Sequence, residues 1–428
     1  MERIEEEYLK TLTEQIRYEK IRSFISKEFE DHLEDQAQCY EEDGMSHQEA
    51  IEKAVEQMGD PITVGVDLDR IHRPRTDWKM FLLVALCSIT GLLVLCLVGR
   101  ISRGEFVRQL SYMLLGAGLM IGIYQLDYSF LGKYPRRILC ITAVLFGAAC
   151  KLFMQTNGRC YQMVSPMYLF APIYGAVIYG YRGQKTWGLC KVLLFMLLPA
   201  VVCNYGTSSL PTTFNLVLIF FIMVLIAVVK VWFHLGRIRT VIALCVVYLV
   251  TPVCLTIISY SFLLRDYQKA RITAFLNPEV YATEAGYIYI RIRELLAGSH
   301  FFGVADGMVE ILPAANEYLL IQLILNYGIV FGVLIVILLV LFLIRAFNVT
   351  CRQKNQLGMM VGMGCFLTFL LQLLEGIAMN FGFFPATALN VPFLSMGAGA
   401  TFTNFILVGI LLSIYRYQNL IFDRKKKS

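Results

Sequence analysis

Carboxylate side chains, which can accept or donate a proton, are concentrated in one stretch of this chain. Eleven acidic residues occur from Trp78 to Ser428, and seven of them fall between Asp266 and Glu317. Apolar runs flank this stretch on both sides. A polar segment between membrane spans is where water, substrate and irregular backbone can coexist, because lipid tolerates none of them. The sequence therefore marks residues 264–317 as the first place to look for acid–base chemistry.

The elements that must position these carboxylates are membrane helices. The chain is 57% hydrophobic and only 16% charged, which is below the quarter or so typical of soluble domains. We predict an all-α, polytopic membrane protein with about ten spans of roughly 20 residues each. The expected spans are 78–98, 106–126, 137–154, 165–181, 186–204, 212–233, 240–263, 316–344, 357–380 and 398–416.

An acidic head precedes these spans. Residues 1–77 hold 21 acidic and 10 basic residues, a net charge of −11, against +17 for the remainder. The overall charge of +6 is thus an average and gives no reason to expect nucleic acid as a partner. The chain divides into a cytoplasmic acidic helical domain, 1–77, and a transmembrane domain, 78–428.

Within the head, three helices are expected. Apolar residues repeat at three and four from Ile21 to Leu33, which predicts one amphipathic helix. Ser46 and Glu49 have capping-box spacing, and Gly59 and Pro61 end the helix that follows. A short helix is expected over 62–71. The head is either a regulatory or docking module or a solvated prefix without chemistry of its own.

Basic residues in the short loops set the predicted orientation. They cluster at the span ends that lie on the same side of the membrane as the head, whereas loops 204–212 and 381–397, on the opposite side, carry no charge. Three basic residues fall on the other side: Arg100, Arg103 and Arg108. The larger number of basic residues in the remaining loops still favours this orientation. Both termini are therefore expected in the cytoplasm, and 264–315 forms a large extracellular loop. The first 30 residues are acidic, which argues against a cleavable signal peptide.

Neither a disulfide framework nor a metal site is expected. Most of the 12 cysteines sit unpaired in apolar runs, where cysteine behaves as a small hydrophobe. The five histidines form no ligand set. No cofactor is predicted; a divalent metal is the one exception to consider, and no ligand set argues for it.

A series of short motifs runs through the membrane part of the chain. In the order of the chain, its residues are Arg108, Gln109, Leu110, Asp127, Tyr128, Asn157, Gly158, Gly206, Thr207, Leu276, Asn277, Pro278, Gly286, Tyr287, Gly298, Ser299, Gly303, Pro313, Asn316, Glu317, Gln372, Met379, Asn380, Gly382, Pro385, Thr387, Pro392, Phe393, Ser395, Gly397 and Asn404. These motifs resemble those of the SEDS family of shape, elongation, division and sporulation proteins, which includes RodA, FtsW and SpoVE. The resemblance covers about 105–417 and is most specific in the last third. The head resembles short acidic prefix domains that precede some permeases.

The chain also departs from the family pattern at acidic positions. Glu317 stands where the family has aspartate, and the loop before it is one residue shorter. Family acids are replaced by Asn204, Tyr174 and Asn326. Glu375 stands inside a span where the family has an apolar residue, and we expect it either to pair with Lys191 or an arginine or to line a substrate or proton path.

The resemblance implies a peptidoglycan glycosyltransferase of the bacterial plasma membrane. It would polymerise undecaprenyl-linked lipid II beside a class B penicillin-binding transpeptidase, with membrane lipid around it. Glu317 matches the family's acidic residue and is the predicted general base. The predicted substrate-binding residues are Arg108, Arg271, Arg291, Arg293, Asn316, Gln372, Asn380 and Ser395, of which the arginines suit pyrophosphate oxygens.

Structural interpretations of the same residues remain open. Glu317 could mark only a helix end, the arginines could snorkel, and Arg291 and Glu294 could pair along a helix. Two other functions also stay open. One is a non-catalytic SEDS-like scaffold or regulator of cell division or spore envelope assembly, and the other is a transporter of lipid-linked precursors. An ordinary permease is disfavoured because no internal repeat is apparent.

Overall fold

A computed structural model describes residues 2–98, 101–153, 160–248, 273–283, 286–306, 318–385 and 391–418. These residues form two compact units. One comprises the residues up to Thr76 together with those from Arg416 onward, and the other runs from Asp77 to Tyr415. All regular structure in the described ranges is helical.

The first unit contains four helices. They are α1 (Glu2–Glu14), α2 (Glu19–Glu42), α3 (His47–Met58) and α4 (Pro61–His72). The three helices expected from the sequence are confirmed, whereas α1 was missed because its surface is mostly acidic. α1 contributes Leu12 to a core that also holds Ile21 and Ile25, and each of these side chains is at most 2% exposed.

Side-chain caps define where the head helices begin. Ser46 and Glu49 form the expected capping box at the start of α3, and Asp60 accepts a hydrogen bond from the backbone N–H of Thr63 at 2.9 Å to open α4. Hydrogen bonds from the Ser46 and Thr63 hydroxyls, together with backbone donors, hold the pKa of Glu49 and of Asp60 below their usual values. Both carboxyls therefore remain charged while the caps are formed.

In its described residues, the second unit forms a helical bundle that includes the helices α5 to α16. They are α5 (Trp78–Val98), α6 (Arg103–Gln125), α7 (Ser129–Lys133), α8 (Pro135–Leu152), α9 (Phe170–Gly180), α10 (Lys185–Thr207), α11 (Leu210–Val229), α12 (Tyr287–Ala297), α13 (Leu319–Tyr327), α14 (Ile329–Cys351), α15 (Gln356–Asn380) and α16 (Ala398–Arg416). Two short 3-10 turns, Tyr161–Met163 and Pro166–Leu169, lead into α9. Residues 237–248 and 273–276 are also helical.

Eight segments in the described ranges are long and apolar enough to cross a membrane. They are α5, α6, Tyr161–Gly180, α10, α11, α14, α15 and α16. The multi-pass, all-α architecture is thereby confirmed. Of the ten expected spans, 137–154 corresponds to α8, which is helical but more polar, and 240–263 extends beyond the described residues.

The expected span 316–344 is wrong as a single helix. Gly328 separates α13 from α14 and has φ of 107°, a region that favours glycine. A Cβ atom on Gly328 would lie 2.4 Å from the carbonyl oxygen of Phe301. Since the apolar pattern continues across Gly328, sequence periodicity gave no sign of this break.

The centre of the bundle is the contact between α9 and α15. A Cβ atom on Gly175 would lie 2.6 Å from the carbonyl oxygen of Met360, and one on Gly364 would lie 2.7 Å from the carbonyl oxygen of Ala171. Small residues at helix crossings let the two backbones approach closely, which is the usual way that membrane helices pack tightly. These glycines therefore set the separation of the two most buried helices.

A buried ion pair joins the start of α5 to α14. Arg345 donates from Nε to Oδ2 of Asp77 at 2.8 Å and places Nη2 2.8 Å from Oδ1. The Asp77 side chain is only 1% exposed, and its Oδ1 also accepts the N–H of Met80 at 3.1 Å. Asp77 thus caps α5 while neutralising the arginine of another helix.

We predict that alanine at either central glycine weakens the bundle. Gly175→Ala and Gly364→Ala should each lower the free energy of unfolding by about 1–3 kcal/mol, because the added methyl group would overlap a backbone carbonyl. Gly122→Ala on α6 is the matched control, since no heavy atom lies within 4 Å of its Cβ position. Reversible unfolding in mild detergent measures the difference, and equal behaviour of all three variants would contradict the close helix contact.

Candidate functional site

α13 is positioned by the chain that follows α12. The N–H groups of Gly303 and Ala305 donate to the carbonyls of Tyr327 and Leu325 at 3.1 and 2.8 Å. These contacts satisfy carbonyl groups that the end of a helix otherwise leaves without partners. The Gly-rich stretch after α12 therefore holds the C-terminal end of α13, which agrees with its place among the family motifs.

Asn380 fixes the other end of α13. Its Oδ1 atom accepts the N–H of Ile321 at 3.1 Å, and its Nδ2 atom donates to the carbonyl of Gly376 at 2.8 Å. The side chain is 1% exposed. Asn380 consequently links the end of α15 to the first turn of α13 through both ends of its amide, which is a positioning contact.

A small hydrophobic cluster packs beneath α12 and α13. Ile292 and Leu295 of α12, Ile321 and Leu325 of α13, and Met379 of α15 are buried together. Apolar packing and the Asn380 contacts act at the same junction. The described part of the acidic stretch is therefore built onto the end of the central helix.

The predicted base and two of its companions lie outside the described residues. These are Glu317, Asn316 and Arg271, and their predicted roles remain predictions. Tyr318, the first described residue after them, is buried at 1% exposure and immediately precedes α13. The backbone that leaves Glu317 therefore enters the junction held by Asn380.

The remaining arginines are placed at the surface. Arg108 and Arg293 are exposed, while Arg291 is partly buried and places Nη1 3.2 Å from Oε2 of Glu294. The helical pairing considered for Arg291 is thus present. A pair that is partly open to solvent contributes little to stability, and the predicted role of Arg291 in binding an anion remains a prediction.

Gln109, beside Arg108, is buried and joins two helices. Its Nε2 atom donates to Oγ1 of Thr401 at 3.0 Å, and its Oε1 atom accepts the N–H of Gly397 at 3.1 Å. The two side chains of the motif therefore differ in their placement: Gln109 ties α6 to the start of α16, and Arg108 faces outward. Sequence reasoning chose only Arg108, although Gln109 belongs to the same motif.

Gln372 and Ser395 are also buried. Gln372 is 6% exposed and Ser395 8% exposed, and the Ser395 hydroxyl donates to the carbonyl of Val391 at 3.1 Å. Gln372 and Asn380 lie on one helix, about 12 Å apart along its axis. Their predicted contacts with substrate remain predictions.

Glu375 is half-buried within α15 and has an amide partner. Nδ2 of Asn215 on α11 donates to Oε2 of Glu375 at 2.6 Å, and the same atom lies 3.5 Å from the Tyr168 hydroxyl. The expected pairing with Lys191 or an arginine is absent from the described contacts. Asn215 was missed, although a polar residue inside the apolar α11 was the available signal.

Tyr174 occupies one of the positions where the family has an acid. It is fully buried, its hydroxyl donates to the carbonyl of Val192 at 3.0 Å, and its ring centroid lies 4.2 Å from that of Phe220. The side chain therefore fills space between helices. The replacement has converted a polar family position into a packing position.

The described ranges offer no cluster of metal-ligand side chains. Within those ranges, no group of three or more His, Cys, Asp or Glu side chains could hold a metal ion. The described part of the site consists of amide, hydroxyl, guanidinium and isolated carboxylate groups at helix junctions.

Together the fold and these junctions define a polytopic α-helical membrane protein with an interhelical polar site at one end of its central helix. A sequence model of the cell cycle protein family of FtsW, RodA and SpoVE matches residues 162–420. This region is more than half of the chain and includes α9 to α16. The chain belongs to the FtsW/RodA/SpoVE family.

Individual relatives match shorter regions. A probable peptidoglycan glycosyltransferase FtsW of Synechocystis is 27% identical over 180 residues, which is 40% of this chain and 46% of the relative. The peptidoglycan glycosyltransferase MrdB of Escherichia coli K12 is 24% identical over 245 residues, which is 55% of this chain and 62% of the relative. The chain thus spans less than two thirds of the length of these curated relatives.

Solved structures extend the likeness in fold. A chain from a peptidoglycan synthase complex superposes with a TM-score of 0.65 at 18% identity, covering 80% of this chain and 99% of that one. The rod shape determining protein RodA of Thermus thermophilus gives a TM-score of 0.54 at 15% identity, covering 80% and 97%. The fold is therefore shared over more of the chain than the family's sequence pattern.

We predict that Asn215 and Glu375 are energetically coupled. Asn215→Leu should lower the free energy of unfolding by about 1–3 kcal/mol, because it leaves a half-buried carboxyl group without its donor. The double variant Asn215→Leu/Glu375→Leu should recover much of that loss. A double-mutant cycle measured by unfolding in detergent gives the coupling, and strictly additive losses would contradict the pairing.

Proposed function

We propose that this chain is a peptidoglycan glycosyltransferase that polymerises lipid II. Membership of the FtsW/RodA/SpoVE family carries the proposal, since similar proteins are named peptidoglycan glycosyltransferases. The architecture suits such a substrate physically. The lipid tail of a lipid-linked disaccharide remains in hydrocarbon while its sugars reach a polar site at the end of the bundle.

Glu317 is the proposed general base. A sugar hydroxyl of the acceptor attacks the anomeric carbon of the donor, and Glu317 takes the hydroxyl proton. The new glycosidic C–O bond forms as the bond from the anomeric carbon to the pyrophosphate oxygen breaks. The pyrophosphate lipid leaves with that electron pair, so attack from the opposite face inverts the anomeric centre. Proton removal by a positioned side chain typically contributes about 10²–10⁴-fold in rate.

The polar residues around this base divide into two proposed roles. Arg108, Arg271, Arg291 and Arg293 neutralise the pyrophosphate, since guanidinium groups suit phosphate oxygens. Asn380 holds the backbone of Ile321, four residues beyond Glu317, and so acts as a positioning residue. Asn316, Gln372 and Ser395 are proposed to contact the sugars.

We further propose a bacterial plasma membrane protein with both termini in the cytoplasm. Basic residues in the short loops support this orientation, which places 264–315 outside the cell. The proposed partner is a class B penicillin-binding transpeptidase. The likeness to a chain of a peptidoglycan synthase complex supports that pairing.

We predict that Glu317→Gln abolishes polymerisation. The amide keeps the size of the side chain but cannot accept the proton, so glycan formation should fall at least about 100-fold. The assay supplies lipid II to the purified chain, with and without candidate transpeptidases, and resolves glycan chains by gel electrophoresis.

Glu310→Gln is the matched control, because Glu310 is an acid of the same stretch without a family match. It should retain activity. Glycan formed at the wild-type rate by Glu317→Gln would remove Glu317 from the mechanism while leaving the proposed activity in place. Absence of product from the wild-type chain with every partner would contradict the activity itself.

A non-catalytic scaffold is the second candidate function. The packing of Tyr174 at a family acid position favours it, as do the amides at Asn204 and Asn326. Under this function the chain would still copurify with a transpeptidase without forming glycan, and Glu317→Gln would leave that association unchanged.

A further inference from the structure

The acidic head contains a cavity with an apolar floor. It measures about 410 Å³, and Leu33, Ala37 and Ala54 form its floor. Each of these three side chains is at most 5% exposed. α2 and α3 supply the floor, so the cavity lies within the first unit.

The rim of the cavity is acidic. Glu5 of α1 and Glu34 and Glu41 of α2 line it, and Glu34 and Glu41 are exposed. His47 contacts Glu41. An apolar floor below carboxylates suits a lysine or arginine side chain, since the methylene stem packs on apolar surface while the charged end meets a carboxylate.

The chain itself carries such side chains beyond the described residues. Arg424, Lys425, Lys426 and Lys427 follow one another. The head, with 21 acidic and 10 basic residues in 1–77, has the complementary charge. Attraction within one chain also benefits from a high effective concentration.

The chain leading to this basic run is attached to the same unit. The N–H of Arg75 donates to the carbonyl of Arg416 at 3.3 Å, and the rings of Tyr18 and Tyr417 lie 6.1 Å apart. Tyr417, seven residues before the basic run, therefore lies beside the beginning of α2.

Reach allows the basic run to meet the rim. Glu34 and Glu41 lie 16 and 23 residues beyond Tyr18, or about 24 and 35 Å along a helix with a 1.5 Å rise per residue. Arg424 to Lys427 lie seven to ten residues beyond Tyr417, a maximum reach of about 23–36 Å. The two ranges coincide.

We propose that this cavity binds the basic run Arg424–Lys427 of the same chain. The acidic head is then a docking module for the chain's own tail. This binding does not involve the proposed glycosyltransferase site, so it can be tested independently of the proposed activity.

Zero-length cross-linking of the full chain tests the proposal. In nanodiscs of neutral lipid, a carbodiimide should join Lys425, Lys426 or Lys427 to Glu34 or Glu41, as read by mass spectrometry. Glu34→Gln/Glu41→Gln should reduce the links from the tail to the remaining head carboxylates about tenfold, which corresponds to about 1.4 kcal/mol. Asp35→Asn/Glu42→Gln removes the same charge from α2 without touching the cavity, and it should leave the yield unchanged.

Charge reversal gives an independent check. Glu34→Lys/Glu41→Lys alone should lose the links, and combining it with Lys425→Glu/Lys426→Glu should restore them with the reactive groups exchanged. An equal loss of links in Glu34→Gln/Glu41→Gln and in Asp35→Asn/Glu42→Gln would mean that only the overall charge of the head attracts the tail. That result would overturn the proposal. So would links between isotopically distinct copies only, or loss of the links in nanodiscs containing phosphatidylglycerol, which would make anionic lipid the partner of the basic run.

Discussion

The close approach of α9 and α15 is the constraint on which the membrane unit depends. Carbonyl oxygens lie only 2.6–2.7 Å from the Cβ positions of Gly175 and Gly364. The two helices therefore cannot move apart without losing this close packing. Dispersion contacts act over short distances, so this separation decides which side chains around them can also be buried. α15 is thereby held as a fixed axis for the polar groups along it.

Polar side chains on α15 form hydrogen bonds with the surrounding helices. Glu375 meets Asn215 of α11, and Asn380 meets the first turn of α13. Gln109 makes a comparable link between α6 and the start of α16. Inside a bilayer no water is present to form hydrogen bonds with these groups, so each one bonds to a neighbouring helix. The proposed catalytic stretch is therefore attached to the most buried of the candidate membrane spans in the described residues.

Local sequence patterns were sufficient for much of this architecture. Apolar length predicted α5, α6, α10, α11, α15 and α16, and the spacing of Ser46 and Glu49 predicted the start of α3. Features formed by residues distant in sequence escaped prediction. The break at Gly328 depends on Phe301 and on backbone donors from Gly303 and Ala305, and the partner of Glu375 lies 160 residues away. Family motifs identified Gln109 and Asn380 as important residues but did not reveal that both amides are engaged between helices.

The pairing of Asp77 with Arg345 has a practical consequence for dissecting this protein. Hydropathy alone would place the start of the membrane unit at Trp78, and a shortened chain cut there would appear complete. It would lack the carboxylate that meets Arg345 and the cap that opens α5. Loss of one member of a buried ion pair typically costs about 3–5 kcal/mol. A head-deleted protein cut at Trp78 would therefore combine removal of the head with damage to the bundle, whereas one that begins before Asp77 would separate the two.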